Sequence, residues 1–327
     1  MRAPRFWQGD GPLARLLEPF GLLYGAATAW RLARRRPWRA PVPVVCIGNL
    51  VAGGVGKTPV ALAVARHLCR RAWQPVFLTR GHGGTARGPL RVIPGRDGAD
   101  RVGDEALLLA AQAPTIVARR RADGARLAVT VGADVIVMDD GHQNPAVHKD
   151  VTLIVVEGRY GFGNGRLLPA GPLREPVARG LGRASALVMI GVGHHGLIYC
   201  LPPDLPVLHA RLVPGPESAL LSGQQVVAFA GIGRPEKFFT MLEDLGAHLV
   251  ACHPFADHMP YAAVDIEPIL EEAFRLQAIP VTTAKDAVRL PPDQRQQVTV
   301  LTVTLVWHDE AALETVLAFQ NDGDAGC

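Results

Sequence analysis

Gly53-Gly54-Val55-Gly56-Lys57-Thr58 is where residue type and spacing most directly imply chemistry. Small residues let successive backbone N–H groups turn inward around phosphate oxygens. A lysine closing such a loop reaches the β- and γ-phosphates of a nucleoside triphosphate, and the hydroxyl that follows, Thr58, is a ligand for Mg²⁺. The strict form of the pattern has glycine where this chain has Val51, so Gly53 and Gly54 are expected to supply the flexibility instead. Further on, Val135-Ile136-Val137-Met138-Asp139-Asp140-Gly141 sets two carboxylates after four apolar residues. An acid at the end of a strand holds Mg²⁺ directly or through water, so Asp139 and Asp140 are expected to share the metal with Thr58. Together the two segments predict binding of a nucleoside triphosphate with Mg²⁺.

Other polar clusters fall in expected loops after strands, where open α/β sheets bind ligands. They are Thr79-Arg80-Gly81-His82, Gly103-Asp104-Glu105, Arg119-Arg120-Arg121 and Leu173-Arg174-Glu175. Asp257-His258 precedes an expected helix and Lys285 ends an expected strand. Histidine is the usual proton-handling side chain near neutral pH, which singles out His258.

The elements that must carry these residues alternate. Strands are predicted at 42–47, 75–79, 115–117, 134–138, 151–156 and 186–190, with helices at 57–72, 103–112 and 119–131 between them. That alternation implies a parallel sheet covered on both faces. Residues 191–222 hold several Gly and Pro and one strand at 207–212. A second α/β unit is predicted to follow, with strands at 225–230, 247–252, 279–283 and 298–305 and helices at 235–245, 261–277 and 309–319. The tail from Gln320 is expected to fray. The division is therefore 1–40, an N-terminal helical segment; 41–212, the nucleotide-binding unit; and 213–327, a smaller α/β unit.

The N-terminal segment stands apart in charge. It holds eight Arg against Asp10 and Glu18, a net of +6 in a chain whose total is +4, so the other residues sum to −2. A general nucleic-acid-binding surface is therefore a poor reading. Leu13, Leu16, Leu17, Phe20, Leu23, Ala27 and Trp30 fall near helical spacing, with Pro19 and glycines at 21 and 25 expected to break or kink the helix. Apolar residues followed by Arg and Trp suit a segment lying on a membrane surface. No run of about 20 uncharged apolar residues exists to span one. Five scattered cysteines, without C-x-x-C spacing, exclude a zinc ribbon and a disulfide scaffold.

These motifs, in this order, resemble the tetraacyldisaccharide 4′-kinases, the lipid A 4′-kinases of Gram-negative bacteria. The resemblance runs from Leu16 to about residue 307. It is carried by Gly48-Asn49 with the phosphate loop, Arg80-Gly81-His82-Gly83-Gly84, Gly103-Asp104-Glu105, Asp139-Asp140-Gly141-His142-Gln143, Leu168–Glu175, Ala230–Phe239, Phe255-Ala256-Asp257-His258 and Thr283-Ala284-Lys285-Asp286. It implies transfer of the ATP γ-phosphate to the 4′-hydroxyl of a tetraacylated disaccharide 1-phosphate. The enzyme would be a monomer, peripheral on the cytoplasmic face of the inner membrane. It also implies that Asp104 is the general base, paired with His258, and that Arg80 and Arg174 are catalytic beside Lys57. Arg121, Gln143 and Glu175 would bind the acceptor. His82, His142, Asn144 and Ala284 depart from the family's usual residues. A soluble small-molecule kinase with the same loop, and a nucleotide-dependent switch or metallochaperone, are the alternatives.

Overall fold

The computed structural model describes residues 4–193 and 201–319. Cys200, Cys327 and the tail from Gln320 lie outside them. Among the described residues nine strands form one sheet in the order β13-β8-β7-β6-β1-β5-β2-β4-β3. These are β1 (Val44–Gly48), β2 (Pro75–Thr79), β3 (Leu90–Arg91), β4 (Thr115–Val117), β5 (Val135–Asp139), β6 (Val151–Glu157), β7 (Ala186–Ile190), β8 (Val207–Pro214) and β13 (Val303–Trp307). All neighbours are parallel except at the two edges, where β3 and β13 run antiparallel. Every residue of β1, β2, β5 and β7 is buried, which is why these strands read as unbroken apolar runs. Alternate residues of β1 face two separate cores. Val45 and Ile47 meet the helix Lys57–Arg70, while Val44 and Cys46 meet the helix Arg121–Thr130.

Four parallel strands form the second sheet, in the order β10-β9-β11-β12, from β9 (Gln225–Ala230), β10 (His248–Pro254), β11 (Ile279–Thr283) and β12 (Thr299–Leu301). The helix Pro235–Asp244 covers one face and Ala263–Arg275 the other. The single strand expected at 298–305 is in fact two. β12 ends in the small sheet, Thr302 crosses, and β13 pairs with β8 in the large one. The large sheet thus reclaims the end of the chain, and one cut near residue 212 does not describe sheet membership. At the crossing, Gly215 N donates to Thr302 O at 2.9 Å, tying the outgoing and returning segments together. The helix expected over 103–112 is found at Asp104–Ala110, and a separate short helix, Ala99–Val102, precedes it across Gly103.

The N-terminal helix runs unbroken from Pro12 to Ala33 with Pro19 inside it, against the expected break. Pro19 is exposed, as is Arg15, whose carbonyl it leaves without a helical donor. Gly25 serves close approach rather than interruption: a Cβ there would lie 2.6 Å from Leu167 Cδ1. Ala14, Gly21, Gly25 and Thr28 form the inward stripe. Leu16, Phe20, Leu22, Leu23 and Trp30 point outward, each about 60–70% exposed. Among the described residues no helix is long and apolar enough to cross a membrane.

Candidate functional site

The loop after β1 occupies the point where the connections of neighbouring parallel strands lead to opposite sides of the sheet, from β1 to β2 beyond β5 and from β6 to β7 on the other side. Ile47 pairs with Asp139, which sets the Asp139-Asp140 turn beside the start of the loop. Gly53 and Gly56 take left-handed φ, and the helix begins at Lys57. Val51 needs no such freedom. It bridges Leu173, while Ala52 N donates to Pro172 O and Arg174 N to Leu50 O, both at 2.7 Å. A short backbone ladder thus ties the start of the loop to the Leu173-Arg174-Glu175 segment.

That ladder delivers Arg174 to the acids. Its Nη1 lies 3.0 Å from Asp140 Oδ1, and Lys57 Nζ lies 3.6 Å from the same oxygen. Burial works to raise the Asp140 carboxyl, but Lys57, Arg174 and Arg121 hold it below its usual range. Asp139 goes the other way: burial, and then the charge of Glu105, push it up to about 7. Its Oδ1 is buried without a hydrogen-bond partner. An unsatisfied carboxylate oxygen next to a second carboxylate fits a hard divalent cation. Among the described residues no group of three or more His, Cys, Asp or Glu could hold a metal. Mg²⁺ does not need one, since it binds through one or two carboxylates plus phosphate oxygens and water.

Asp104 opens its helix and is only 3% exposed. Gly103, at φ 88°, makes this placement possible, because a Cβ there would sit 2.3 Å from His82 O. Asp104 Oδ1 accepts from Glu105 N at 2.8 Å. His258 Nδ1 lies 2.9 Å from Oδ2 and 3.1 Å from Oδ1, and Arg289 Nε lies 3.6 Å from Oδ2. Burial works to raise this carboxyl, yet the His258 hydrogen bond and the charges of Lys285 and Arg289 lower it, so it is ionised at neutral pH. His258 and Arg289 belong to the segment that builds the small sheet, so the pair forms only where the two units meet. His258 and Asp140 both hold left-handed φ, 60° and 52°, uncommon for residues with a side chain; Ala72 and Gln277, just past helix ends, do so as well.

On the other side of the loop, Gln143 Nε2 donates to Asn49 O at 2.9 Å and to Glu175 Oε1 at 3.1 Å. Glu175 is buried, with both oxygens on Arg183 Nη2 at 2.8 and 2.9 Å. His142 Nε2 lies 3.1 Å from the same nitrogen. Burial, and then Arg183, push the His142 ring down to about 3, so it is neutral and accepts. Arg121 is buried, with Nη1 on Ala118 O at 2.6 Å and Nε without a partner. It lines a cleft of about 450 Å³ together with Arg31, Arg35, Arg120, Arg126 and Gln143. Arg80 is exposed.

The structure therefore gathers Lys57, Asp139, Asp140 and Arg174 at one end of the site and Asp104 with His258 at the other. Arg289 and Arg183 lie outside every motif of the sequence. The i, i+4 spacing of Lys285 and Arg289 was visible, but nothing local said that it faces Asp104.

A family model described as tetraacyldisaccharide-1-P 4′-kinase matches residues 13–321. The chain is 58% identical over 321 residues to the tetraacyldisaccharide 4′-kinase of Rhodospirillum rubrum, covering 97% of each. It is 55% identical to that of Paramagnetospirillum magneticum, covering 97% of this chain and 98% of the relative. Its fold is similar to a crystal structure of LpxK from Aquifex aeolicus in complex with ATP. There the TM-score is 0.73 and the identity 25%, over 93% of this chain and 98% of the other.

Proposed function

The chain belongs to the tetraacyldisaccharide-1-P 4′-kinase family, and from that premise we propose how its residues divide the reaction. It is an ATP-dependent phosphotransferase that phosphorylates tetraacyldisaccharide-1-P in lipid A biosynthesis, with the 4′-hydroxyl as acceptor. Membership answers the two alternatives, the soluble small-molecule kinase and the metallochaperone.

Backbone N–H groups of Gly53, Gly54, Val55 and Gly56 cradle the phosphates, and Lys57 meets the β- and γ-oxygens. Thr58, Asp139 and Asp140 hold Mg²⁺, which when bound supplies neutralising charge on those oxygens. Arg174, fixed on Asp140, and Arg80 spread the charge of the transferring group. Asp104 takes the proton from the 4′-hydroxyl as attack proceeds. A sugar hydroxyl is a poor nucleophile until that proton leaves, and a buried, ionised carboxylate is a suitable acceptor. Arg121, Gln143 and Glu175 form the acceptor's side of the site. The observation that carries this reading is the Asp104–His258 contact across the junction of the two units.

The enzyme works as a monomer on the cytoplasmic face of the inner membrane. The outward Leu16, Phe20, Leu22, Leu23 and Trp30 of the N-terminal helix support the membrane placement. Apolar side chains enter the acyl boundary and the arginines that follow meet anionic headgroups.

The test is phosphate transfer from γ-labelled ATP to a tetraacyldisaccharide 1-phosphate in detergent micelles. Label in the lipid with the wild type and none with Lys57→Ala is expected. Equal labelling by Lys57→Ala would refute the loop's role. Full turnover by both Asp104→Asn and His258→Ala would refute the base.

A further inference from the structure

Beside the Asp104–His258 pair stands an ammonium that the reaction as divided above does not use. Lys285 Nζ lies 3.2 Å from His258 Nε2, 3.5 Å from Glu105 Oε1 and 3.7 Å from Asp257 Oδ1. We propose that Lys285 is a positioning residue: it holds His258 as a neutral imidazole with its proton on Nδ1, turned toward Asp104. The consequence for catalysis rests on the reading of Asp104 as the base.

The two ring nitrogens face opposite chemistries. Nδ1 lies within hydrogen-bond distance of both oxygens of an ionised carboxylate, which only accepts, so Nδ1 carries a hydrogen. Nε2 faces an ammonium, which only donates, so Nε2 must offer its lone pair. One tautomer satisfies both. A second proton, on Nε2, would set two N–H groups head to head and two cations 3.2 Å apart.

The surroundings make the lysine necessary. Asp257 Oδ1 lies 3.7 Å from His258 Nε2, is buried and has no hydrogen-bond partner. Unopposed, that carboxylate together with Asp104 would favour an imidazolium. Lys285 stands 3.7 Å from the same Asp257 oxygen and offsets it. The remaining neighbours are the His82 ring, edge-on with its centroid 5.0 Å from that of His258, and Arg289 beside Asp104. Lys285 is itself placed by a rigid turn. Asp286, the next residue, is fully buried and accepts from Gly231 N at 2.7 Å, Tyr261 Oη at 2.6 Å and Arg289 Nη2 at 2.5 Å. The lysine therefore reaches the ring from a fixed backbone.

For the reaction, a neutral ring orients Asp104 through one hydrogen bond and leaves the carboxylate basic. An imidazolium in the same place would draw on the same lone pairs and weaken the base. Lys285 thus keeps the base competent on the acid side of neutrality without touching either substrate.

The experiment is ¹⁵N NMR of the full-length enzyme labelled at histidine, with His258 assigned through His258→Gln. Wild type at pH 7 should show a protonated Nδ1 and an unprotonated Nε2. Lys285→Met, with Lys285→Gln made in parallel should the first not fold, should show both nitrogens protonated. In the same variant the acid limb of kcat should move up by about one pH unit. Its high-pH plateau and the KM for ATP should not change, and Lys285→Arg should restore the limb. Wild-type nitrogen shifts in a folded Lys285→Met, or a doubly protonated His258 in the wild type at pH 7, would overturn the proposal. An imidazolium in Lys285→Met with an unchanged pH profile would uphold the role of Lys285 and instead remove Asp104 as the base.

Discussion

Asp104→Asn and His258→Ala, separately and together, should behave as one unit. General-base catalysis contributes about 10²–10⁴-fold, or about 3–6 kcal/mol at about 1.4 kcal/mol per decade, and Asp104→Asn should cost that much in kcat. His258→Ala should cost less. It removes one hydrogen bond to a charged group, worth about 1.5–3 kcal/mol, or roughly 10–100-fold. The carboxylate keeps two other partners, Glu105 N at 2.8 Å and Arg289 Nε at 3.6 Å. In the Asp104→Asn background the histidine has no base left to orient, so His258→Ala should add almost nothing, and the coupling energy should nearly equal the His258→Ala cost. The assay is initial-rate transfer of γ-labelled phosphate in mixed micelles at saturating ATP. Thermal melts show that each variant folds, and the KM for ATP reports the nucleotide end. Additive losses would mean that the two side chains act separately, and the 2.9 Å contact would then have no part in catalysis.

Four other outcomes are expected. Asp139 sits at about 7, so ATP affinity with Mg²⁺ should rise as pH climbs through 7, where the carboxyl sheds its proton, and flatten in Asp139→Asn; isothermal titration calorimetry reads both, and an unchanged slope would place the metal elsewhere. His142 takes a proton only near pH 3 in the folded chain but near 6.5 when unfolded, so stability falls as pH drops across that window, by about 2 kcal/mol between 6.5 and 5; His142→Leu should lose this component in urea melts at the two pH values. Replacing Leu16, Phe20 and Leu23 by Ser should weaken flotation with anionic vesicles by about 10²-fold, at about 1 kcal/mol per partly inserted side chain, and spare activity on detergent-dispersed acceptor. Gly103→Ala should cost about 1–3 kcal/mol in thermal melts, since its left-handed φ and the 2.3 Å approach to His82 O leave no place for a Cβ; a wild-type melt would show that the helix start can shift.

What could be read without the fold is what depends on neighbours in the chain. The phosphate loop is legible because its glycines, Lys57 and Thr58 act on one ligand from consecutive positions. Asp139 and Asp140 are legible because a buried parallel strand must be apolar until it ends. Most strands of both sheets could be placed for the same reason, and the order of the motifs pointed to the family. Other features depend on partners far away in sequence. Nothing near residue 25 announces Leu167, so its glycine reads as a breaker until the helix is seen packed on that loop. Nothing in 298–305 says that Thr302 leaves one sheet for another, because both halves are equally strand-like. Arg289 and Arg183 carry ordinary surface chemistry in the sequence, and Lys285 stands in a motif that does not say what it faces. Each becomes part of a site only through a carboxylate or a ring brought to it by packing. Periodicity records which face of an element is buried, and charge and hydrogen-bond partners are settled only once those faces meet.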